Sequence, residues 1–257
     1  MNFSEDLALA LKLADAADAI SLARFRALDL NIETKPDRSP VTDADRAVEL
    51  ALKGILAAER PDDGIVGEEF GNSGSTTRKW IIDPIDGTAN YMRGVPVWAS
   101  LIALSIDGHA VVSVVSAPAL GKRWWAAPGI AKTSEIDGTI RDLKVSNIED
   151  LEHASLSYNN LQLWDQYGFL EQLISLSRKV WRTRAYGDFY SYMLLAEGSV
   201  DIVAEHDLKL YDIAALVPIV EQSGGTFTAF DGPLTEGSSS VLATNGKLHD
   251  TVMSNLT

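Results

Sequence analysis

An apolar run, Trp80-Ile81-Ile82, meets Asp83-Pro84-Ile85-Asp86-Gly87-Thr88 with no spacer between them. The run has the composition of a strand, and Pro84 cannot donate to a sheet ladder, so the chain must turn there. Two carboxylates three positions apart therefore fall at one strand end. Carboxylates that face each other repel unless something positive lies between them, which makes a bound cation the first explanation to weigh. Asp-Pro and Asp-Gly are also ordinary turn residues, and turn chemistry alone accounts for those dipeptides. Gly87 allows close approach of backbone to a ligand, and Thr88 supplies a hydroxyl at a helix start whose N–H groups can cradle an anion.

The charge balance makes this placement harder to explain. The 257 residues carry 36 acidic side chains against 22 basic ones, a formal net charge of −14. No stripe of clustered Lys and Arg is visible, which argues against a nucleic-acid partner. A chain this acidic can hold a phosphate ester only where the local sign is reversed, by divalent metal, by a helix N-terminus, or by both. Hydrophobic content of 46%, with 8% aromatic residues, fills a substantial core in one large domain or two small ones. Cysteine is absent, so disulfides, thiolate zinc sites and a cysteine nucleophile are excluded, and a cytoplasmic location is expected. The first 25 residues are apolar in a helical rhythm, but Glu5, Asp6, Lys12, Asp15 and Asp18 interrupt every stretch that could serve as a signal or membrane core. They read as an amphipathic opening helix, with no membrane partner.

Along the chain, helix and strand alternate without internal repeats. Residues 31–45, "NIETKPDRSPVTDAD", read as a loop, with a helix beginning at Thr42 and stopped by Pro61. "GIVGEEFG" is a short strand running into a glycine-bounded acidic turn. Val97 to Gly129 has the pattern of an antiparallel meander, and "EIDGTI" adds a small hairpin. From about residue 144 the texture becomes βα: strands at 154–158, 180–186 and 200–204, helices at 164–179, 188–197 and 212–223, then strands at 226–230 and 240–243 and a last short helix. The expectation is an α+β half over 1–143 with an antiparallel sheet, and an α/β half over 144–257, packed as layers of sheet between helices.

Three more acidic loci have competing explanations. Glu68 and Glu69 are adjacent at a strand end and point to opposite sides, so at most one faces a given site, and both could belong to a solvated turn. Thr42-x-x-Asp45 has the form of a capping box, which gives Asp45 a role at the helix start. Asp212 begins an apolar helix, where an acid is welcome at the positive end of the macrodipole.

"VGEEFG", "WIIDPIDGTANY" and "LKLYDIAALVPIVEQSGG", in this order and at this spacing, resemble the inositol monophosphatase superfamily of magnesium-dependent phosphatases. The likeness runs from "SPVTDADRAVE" to the Gly224-Gly225 pair. It implies a layered sandwich of alternating α-β-α-β-α layers and a homodimer. It also implies that Glu68, Asp83 and the Ile85 carbonyl hold one magnesium with the Thr88 hydroxyl close by. Asp83 would bridge to a second ion held by Asp86 and Asp212, and Glu68 could help hold a weaker third. Asp45 would hydrogen-bond Thr88, the pair orienting the attacking water. Hard oxygen ligands, few histidines and no sulfur suit Mg²⁺, with Mn²⁺ as a substitute. Gly87 and Thr88 would hold the phosphate on the helix start, and no Ser, Cys or His is placed as an obvious nucleophile for a phosphoenzyme.

The partner is then a small phosphate ester, and the second half decides which one. In "RTRAYGDFYSYMLLAEGSVDIVAEHDLKLYD" Gly187 is followed by Asp188 and Phe189, where the inositol-type pattern has a small Gly-Ser/Thr-Ala run. This segment looks more like bacterial histidinol-phosphate phosphatases of the superfamily. Asp188 and Glu205 would face the leaving group, together with Asp86 and Asp212, and two acids suit a cationic amino-imidazole alcohol better than a neutral polyol. Arg184 would touch the phosphate or balance those acids. The plainer alternatives are a helix cap at Asp188, a solvated turn acid at Glu205 and a surface pair at Arg184. Inositol phosphate, fructose bisphosphate or a sulfonucleotide are the other substrates to weigh, and a non-catalytic metal-binding protein is the remaining class.

Overall fold

The structure is a computed structural model that describes residues 3–36 and 38–256. The opening helix α1 (Ser4–Arg24) forms as its rhythm predicts, burying Leu9, Ala10, Leu13, Ala14 and Ala17 along one face. Residues 31–45 differ from the loop expected of them. They contain a two-stranded ribbon, β1 (Ile32–Thr34) and β2 (Pro40–Thr42), with Pro40 at the first position of its strand, where its missing N–H costs least. Asp37 lies outside the described residues. Thr42 is the N-cap of α2 (Asp43–Glu59) rather than its first residue.

Strands β3 (Gly64–Gly67), β4 (Gly71–Ser73), β5 (Arg78–Asp86), β6 (Ala99–Ile106), β7 (His109–Ala117), β8 (Lys122–Ala127), β9 (Ile130–Ser134) and β10 (Ile140–Asp142) make one sheet, with the helix α3 (Thr88–Met92) between β5 and β6. The strand order is β10-β9-β8-β7-β6-β5-β3-β4, and every pairing is antiparallel except β3 with β5. A second sheet is built from β11 (Ser155–Tyr158), β12 (Arg182–Arg184), β13 (Ile202–Glu205), β14 (Thr226–Ala229) and β15 (Val241–Thr244), in the order β12-β11-β13-β15-β14. Its first three strands are parallel.

The helix expected over 164–179 is two, α4 (Leu161–Gln166) and α5 (Leu170–Ser177), because Gly168 at φ 80° breaks the run. α6 (Asp188–Ala196) follows β12. The helix expected over 212–223 starts earlier and is interrupted, α7 (Leu210–Ala214) and α8 (Leu216–Gln222), since Pro218 has no N–H to give the Ala214 carbonyl. The last helix is α9 (His249–Leu256).

Stacked through the molecule, α1 and α2 cover one face of the first sheet; α6, α7 and α8 lie between the two sheets; α5 and α9 cover the far face of the second. This is the α-β-α-β-α layering. The largest core cluster sits in the middle layer and joins both sheets, with Ile81, Leu101 and Trp124 on one side, Val203 and Ala243 on the other, and Phe189 and Leu216 between. No helix among the described residues is long and apolar enough to cross a membrane.

Candidate active site

Pro84 sets the geometry of the site. Asp83 pairs with Leu101 and Asp86 with Ala99, so three steps on β5 oppose two on β6 and the ladder carries one extra residue. Side chains alternate along a strand, and residues three apart would otherwise face opposite sides; the bulge restores Asp83 and Asp86 to the same side. Ser100 Oγ donates to the Pro84 carbonyl at 2.7 Å, tying down the bulged backbone. Ile85 is fully buried with Ala44, Tyr91 and Trp98, which fixes where its carbonyl lies.

Asp212, arriving on α7, joins this pair. Carboxylate oxygens of Asp83, Asp86 and Asp212 lie within 4.8 Å of one another. The Lys209 N–H donates to Asp212 Oδ2 at 2.6 Å, so the residue takes part in capping its helix while standing in the cluster. Asp83 is only 2% exposed, and its Oδ1 is buried without a hydrogen-bond partner. Burial first, then the neighbouring carboxylates, holds the pKa of Asp83 and Asp86 well above the usual carboxylate range, and burial pushes Asp212 up to about 7. Three hard oxygen donors converge here, one of them orphaned and none of them in an ion pair with a cation among the described residues. This arrangement fits a divalent ion held by oxygen.

Glu68 stands beside the cluster on different terms. Lys35 Nζ lies 2.7 Å from its Oε1 and 2.5 Å from Glu69 Oε1, so neither acid is a simple solvated turn residue. The turn itself is pinned from below by Glu49, fully buried on α2, which accepts from the Glu69 N–H at 2.7 Å and the Phe70 N–H at 3.0 Å. A Cβ on Gly67 would fall 1.9 Å from Glu49 Oε1, so a larger residue there would displace the carboxylate that pins the turn. Lys35 and Glu49 were not anticipated from the sequence, because each acts through contacts with residues far away along the chain.

Asp45 divides its two oxygens between cap and site. Its Oδ2 accepts from the Thr42 N–H at 2.9 Å and from Thr42 Oγ1 at 2.5 Å, closing the capping box, while Oδ1 lies 3.2 Å from Thr88 Oγ1. The Thr88 hydroxyl is also 2.9 Å from the Ile85 carbonyl. Its single proton therefore has two acceptors on the protein side, which leaves its lone pairs available to a further donor. Burial raises the pKa of Asp45 to about 6.

A cavity of about 420 Å³ opens beside Asp86 and Asp212, at the carboxyl ends of the parallel strands β11, β12 and β13, where open sheets with parallel strands present their ligands. Asp188 and Glu205 both line it. Asp188 does not cap α6: the helix has no side-chain cap bond, and Asp188 Oδ2 instead accepts from Asn90 Nδ2 at 3.0 Å. The residue sits in the left-handed region at φ 49°, and its own helix is anchored by the Phe189 N–H donating to Asp86 Oδ2 at 2.8 Å. Glu205 is 2% exposed, not a solvated turn acid; Tyr192 Oη donates to its Oε2 at 3.2 Å, and its Oε1 is buried without a partner. Burial, with Asp188 adding to it, pushes its pKa up to about 8.

Arg184 is not brought to this cavity. It is exposed at the end of β12, and its Nη1 donates to the Thr183 carbonyl at 2.7 Å. His206 does line the cavity, packed among Trp164, Tyr167, Phe169 and Phe230, and burial lowers its pKa to about 4. Asn90 and Tyr192, the two donors that hold the cavity acids, were also missed from sequence, since neither stands out until the distant acid is placed beside it.

The family model for the inositol monophosphatase family matches residues 2–257. The chain belongs to this family. Two histidinol-phosphatases are close relatives. That of Mycobacterium tuberculosis is 54% identical, covering 98% of each chain, and that of Streptomyces coelicolor is 51% identical, covering 98% of this chain and 97% of the other. Among solved structures, an inositol monophosphatase from Zymomonas mobilis superposes with a TM-score of 0.85 at 36% identity, over 100% of this chain and 99% of that one. The family member described here is accordingly a phosphoric monoester hydrolase with the inositol monophosphatase fold, which removes the non-catalytic reading.

Proposed function

We propose that the protein hydrolyses L-histidinol phosphate to L-histidinol and phosphate, with Mg²⁺ as cofactor. The observation that carries this reading is the sign of the cavity. Asp86, Asp188, Glu205, Asp207 and Asp212 line it, and no Lys or Arg does. Asp83, Asp86 and Asp212 would hold cations at one end of that charge; Asp188 and Glu205 are left for the substrate. A leaving group with an amine and an imidazole supplies positive charge there, whereas a polyol supplies none. The two histidinol-phosphatases at more than half identity support the same choice.

Asp83, Asp86, Asp212, Glu68 and the Ile85 carbonyl would hold two or three ions, with Mn²⁺ able to substitute. Bound there, the ions supply neutralisation of the ester oxygens and a lowered pKa for water. The chain's own groups do the positioning. Amides of Gly87 and Thr88 take phosphate oxygens. The Thr88 hydroxyl, its proton directed to Asp45 or the Ile85 carbonyl, accepts from water and orients it toward phosphorus. Asp188 and Glu205 hold the cationic alcohol so that the P–O bond opposite the water is the one that breaks, the departing oxygen taking up a proton. On this reading residues 1–143 supply most of the metal end and 144–257 the substrate wall, with Asp212 reaching across. We infer a cytoplasmic homodimer in histidine synthesis.

A panel of phosphate esters with and without magnesium tests the proposal. Histidinol phosphate should give the highest kcat/KM; a preference for inositol 1-phosphate, fructose bisphosphate or a sulfonucleotide would overturn the substrate, and full activity after chelation would overturn the metal.

A further inference from the structure

A second cavity, of about 740 Å³, lies on the opposite side of the helix that carries Asp212. Leu210, Ile213, Ala214 and Val217 line it, at spacings of three, four and seven from the first, so one continuous face of α7 and α8 forms its wall. Asp212 and Leu216, from the other face, line the active cavity. A second partition is aromatic. Phe227 lines the larger cavity and stacks on Tyr192 at 5.4 Å with planes 10° apart, and Tyr192 in turn holds Glu205. Two thin walls thus separate a space with no assigned role from the groups that face the substrate.

Three acids and two histidines, His109 and His249, are the titratable groups on this space. Glu221, Asp231 and Glu236 line it, and no Lys or Arg does. Glu236 is already paired with Lys79 at 2.6 Å, from outside the lining. Both ring nitrogens of His249 are engaged, by Thr228 Oγ1 at 3.0 Å and Thr244 Oγ1 at 3.2 Å. Glu221 has no hydrogen-bond or ion-pair partner for its carboxylate among the described residues, and burial pushes its pKa up, with only His109 acting against that. An anion finds no donor cluster here. A molecule with an apolar body and one positive end finds both its partners, Phe227 and the helix face for the body and Glu221 for the charge.

We propose that this cavity is a second ligand site, for a small organic cation with an aromatic or branched apolar body, and that its occupancy alters turnover through the shared helix and the Phe227–Tyr192 stack. The site is independent of which ester the enzyme prefers. Tryptamine and indole-3-propionate, alike in body and opposite in charge, are the probes, titrated calorimetrically into the magnesium-loaded enzyme. Tryptamine should bind once per chain and at least about tenfold more tightly than the propionate, roughly the discrimination of one partly desolvated charge. Val217→Trp, which projects an indole from the helix wall into the space, should remove that binding. Glu221→Gln, which keeps the side-chain shape and breaks no side-chain hydrogen bond among the described residues, should erase the difference between the probes. Saturating tryptamine should change phosphate release in the unaltered enzyme and leave that of Val217→Trp unchanged. Equal binding of the two probes, tryptamine affinity unaffected by Val217→Trp or by Glu221→Gln, or binding without any change in turnover would each overturn the proposal.

Discussion

Asp83, Asp86 and Asp212 bring carboxylate oxygens within 4.8 Å of one another, while Asp188 and Glu205, on the same cavity, each rest an oxygen on a neutral donor, Asn90 and Tyr192. All five acids are driven toward their protonated forms by burial first. The difference lies in spacing and support. Oxygens packed that closely have no arrangement of side-chain donors around them that would make the ionised state tolerable, so a small, doubly charged ion is the natural complement. Asp188 and Glu205 fall outside that cluster, each steadied by one neutral hydrogen bond on the cavity wall, a setting that suits a larger, singly charged organic cation. Buried acids of one residue type can thus be directed to a metal or to a substrate by geometry alone.

Removing one member of the close set should have the largest effect. Asp83→Asn keeps the volume and the strand but withdraws the one carboxylate of the three with an orphaned oxygen. Turnover should fall by more than about a thousandfold, ~4 kcal/mol of barrier, with an unchanged circular dichroism spectrum. Wild-type rates in this variant would mean that the close set holds no catalytic ion.

The dispersed set should govern preference instead. Asp188→Ala and Glu205→Gln each remove one negative partner of the leaving group, and each should lower kcat/KM for histidinol phosphate by about ten- to a hundredfold. Rates on a neutral ester such as inositol 1-phosphate should change much less. If both esters lose activity equally, these acids serve the chemistry or the fold and not the choice of substrate.

The two sets also differ in how readable they are in the sequence. Asp83 and Asp86 announce themselves because a proline between them and a glycine just after force the chain to turn, and a local cause leaves a local pattern. Even there, the reason both face one way, the extra residue opposite Ser100, needed the β6 register. Asp45 was legible twice, as cap and as partner of Thr88, and its two oxygens serve both contacts at once. The layering followed from element alternation, although Gly168 and Pro218 divided two helices that periodicity had joined. Lys35 on the two glutamates and Asn90 on Asp188 were not legible, because they meet residues 33, 34 and 98 positions away along the chain. Arg184, whose charge invited a phosphate role, is at a strand end that leaves it exposed.

Titration separates the sets without any substitution. With metal removed by chelation, Asp45, Asp212 and Glu205 have folded-state values of about 6, 7 and 8, against about 4 for carboxyls in the unfolded chain. Between those limits the folded state holds protons that the unfolded state has lost. Stability is therefore fully present below about pH 4 and declines as pH rises toward 8. Glu197, held low beside Lys122, acts in the opposite direction below that window, and His206, lowered to about 4, opposes it only up to about pH 6.5, so the decline is steepest from there to pH 8. The melting temperature of the chelated protein should fall between pH 5 and 8. Magnesium should restore it, and restore more at the upper end, where its ligands are already ionised. A flat profile without metal would show that these acids are relieved by something other than an ion.

The smallest expected effect is at Asn90, and it asks how rigid the dispersed set must be. Asn90 Nδ2 bridges the Val97 carbonyl at 2.9 Å and Asp188 Oδ2 at 3.0 Å, linking the turn after the metal loop to the acid on α6. Asp188 is held with positive φ, a conformation costing roughly 1–3 kcal/mol that persists only where the surroundings enforce it. A Cβ at Gly87 would stand 3.2 Å from the same Asp188 oxygen, so glycine there leaves that oxygen its place. Asn90→Ala removes one restraint and leaves the carboxylate in place. KM for histidinol phosphate should rise by a few-fold with kcat less affected, because orientation is lost while charge is kept, and Asn90→Ser, which retains a donor, should recover part of it. A drop in kcat as deep as that of Asp83→Asn would place Asn90 with the close set and erase the distinction between acids that bind metal and acids that bind substrate.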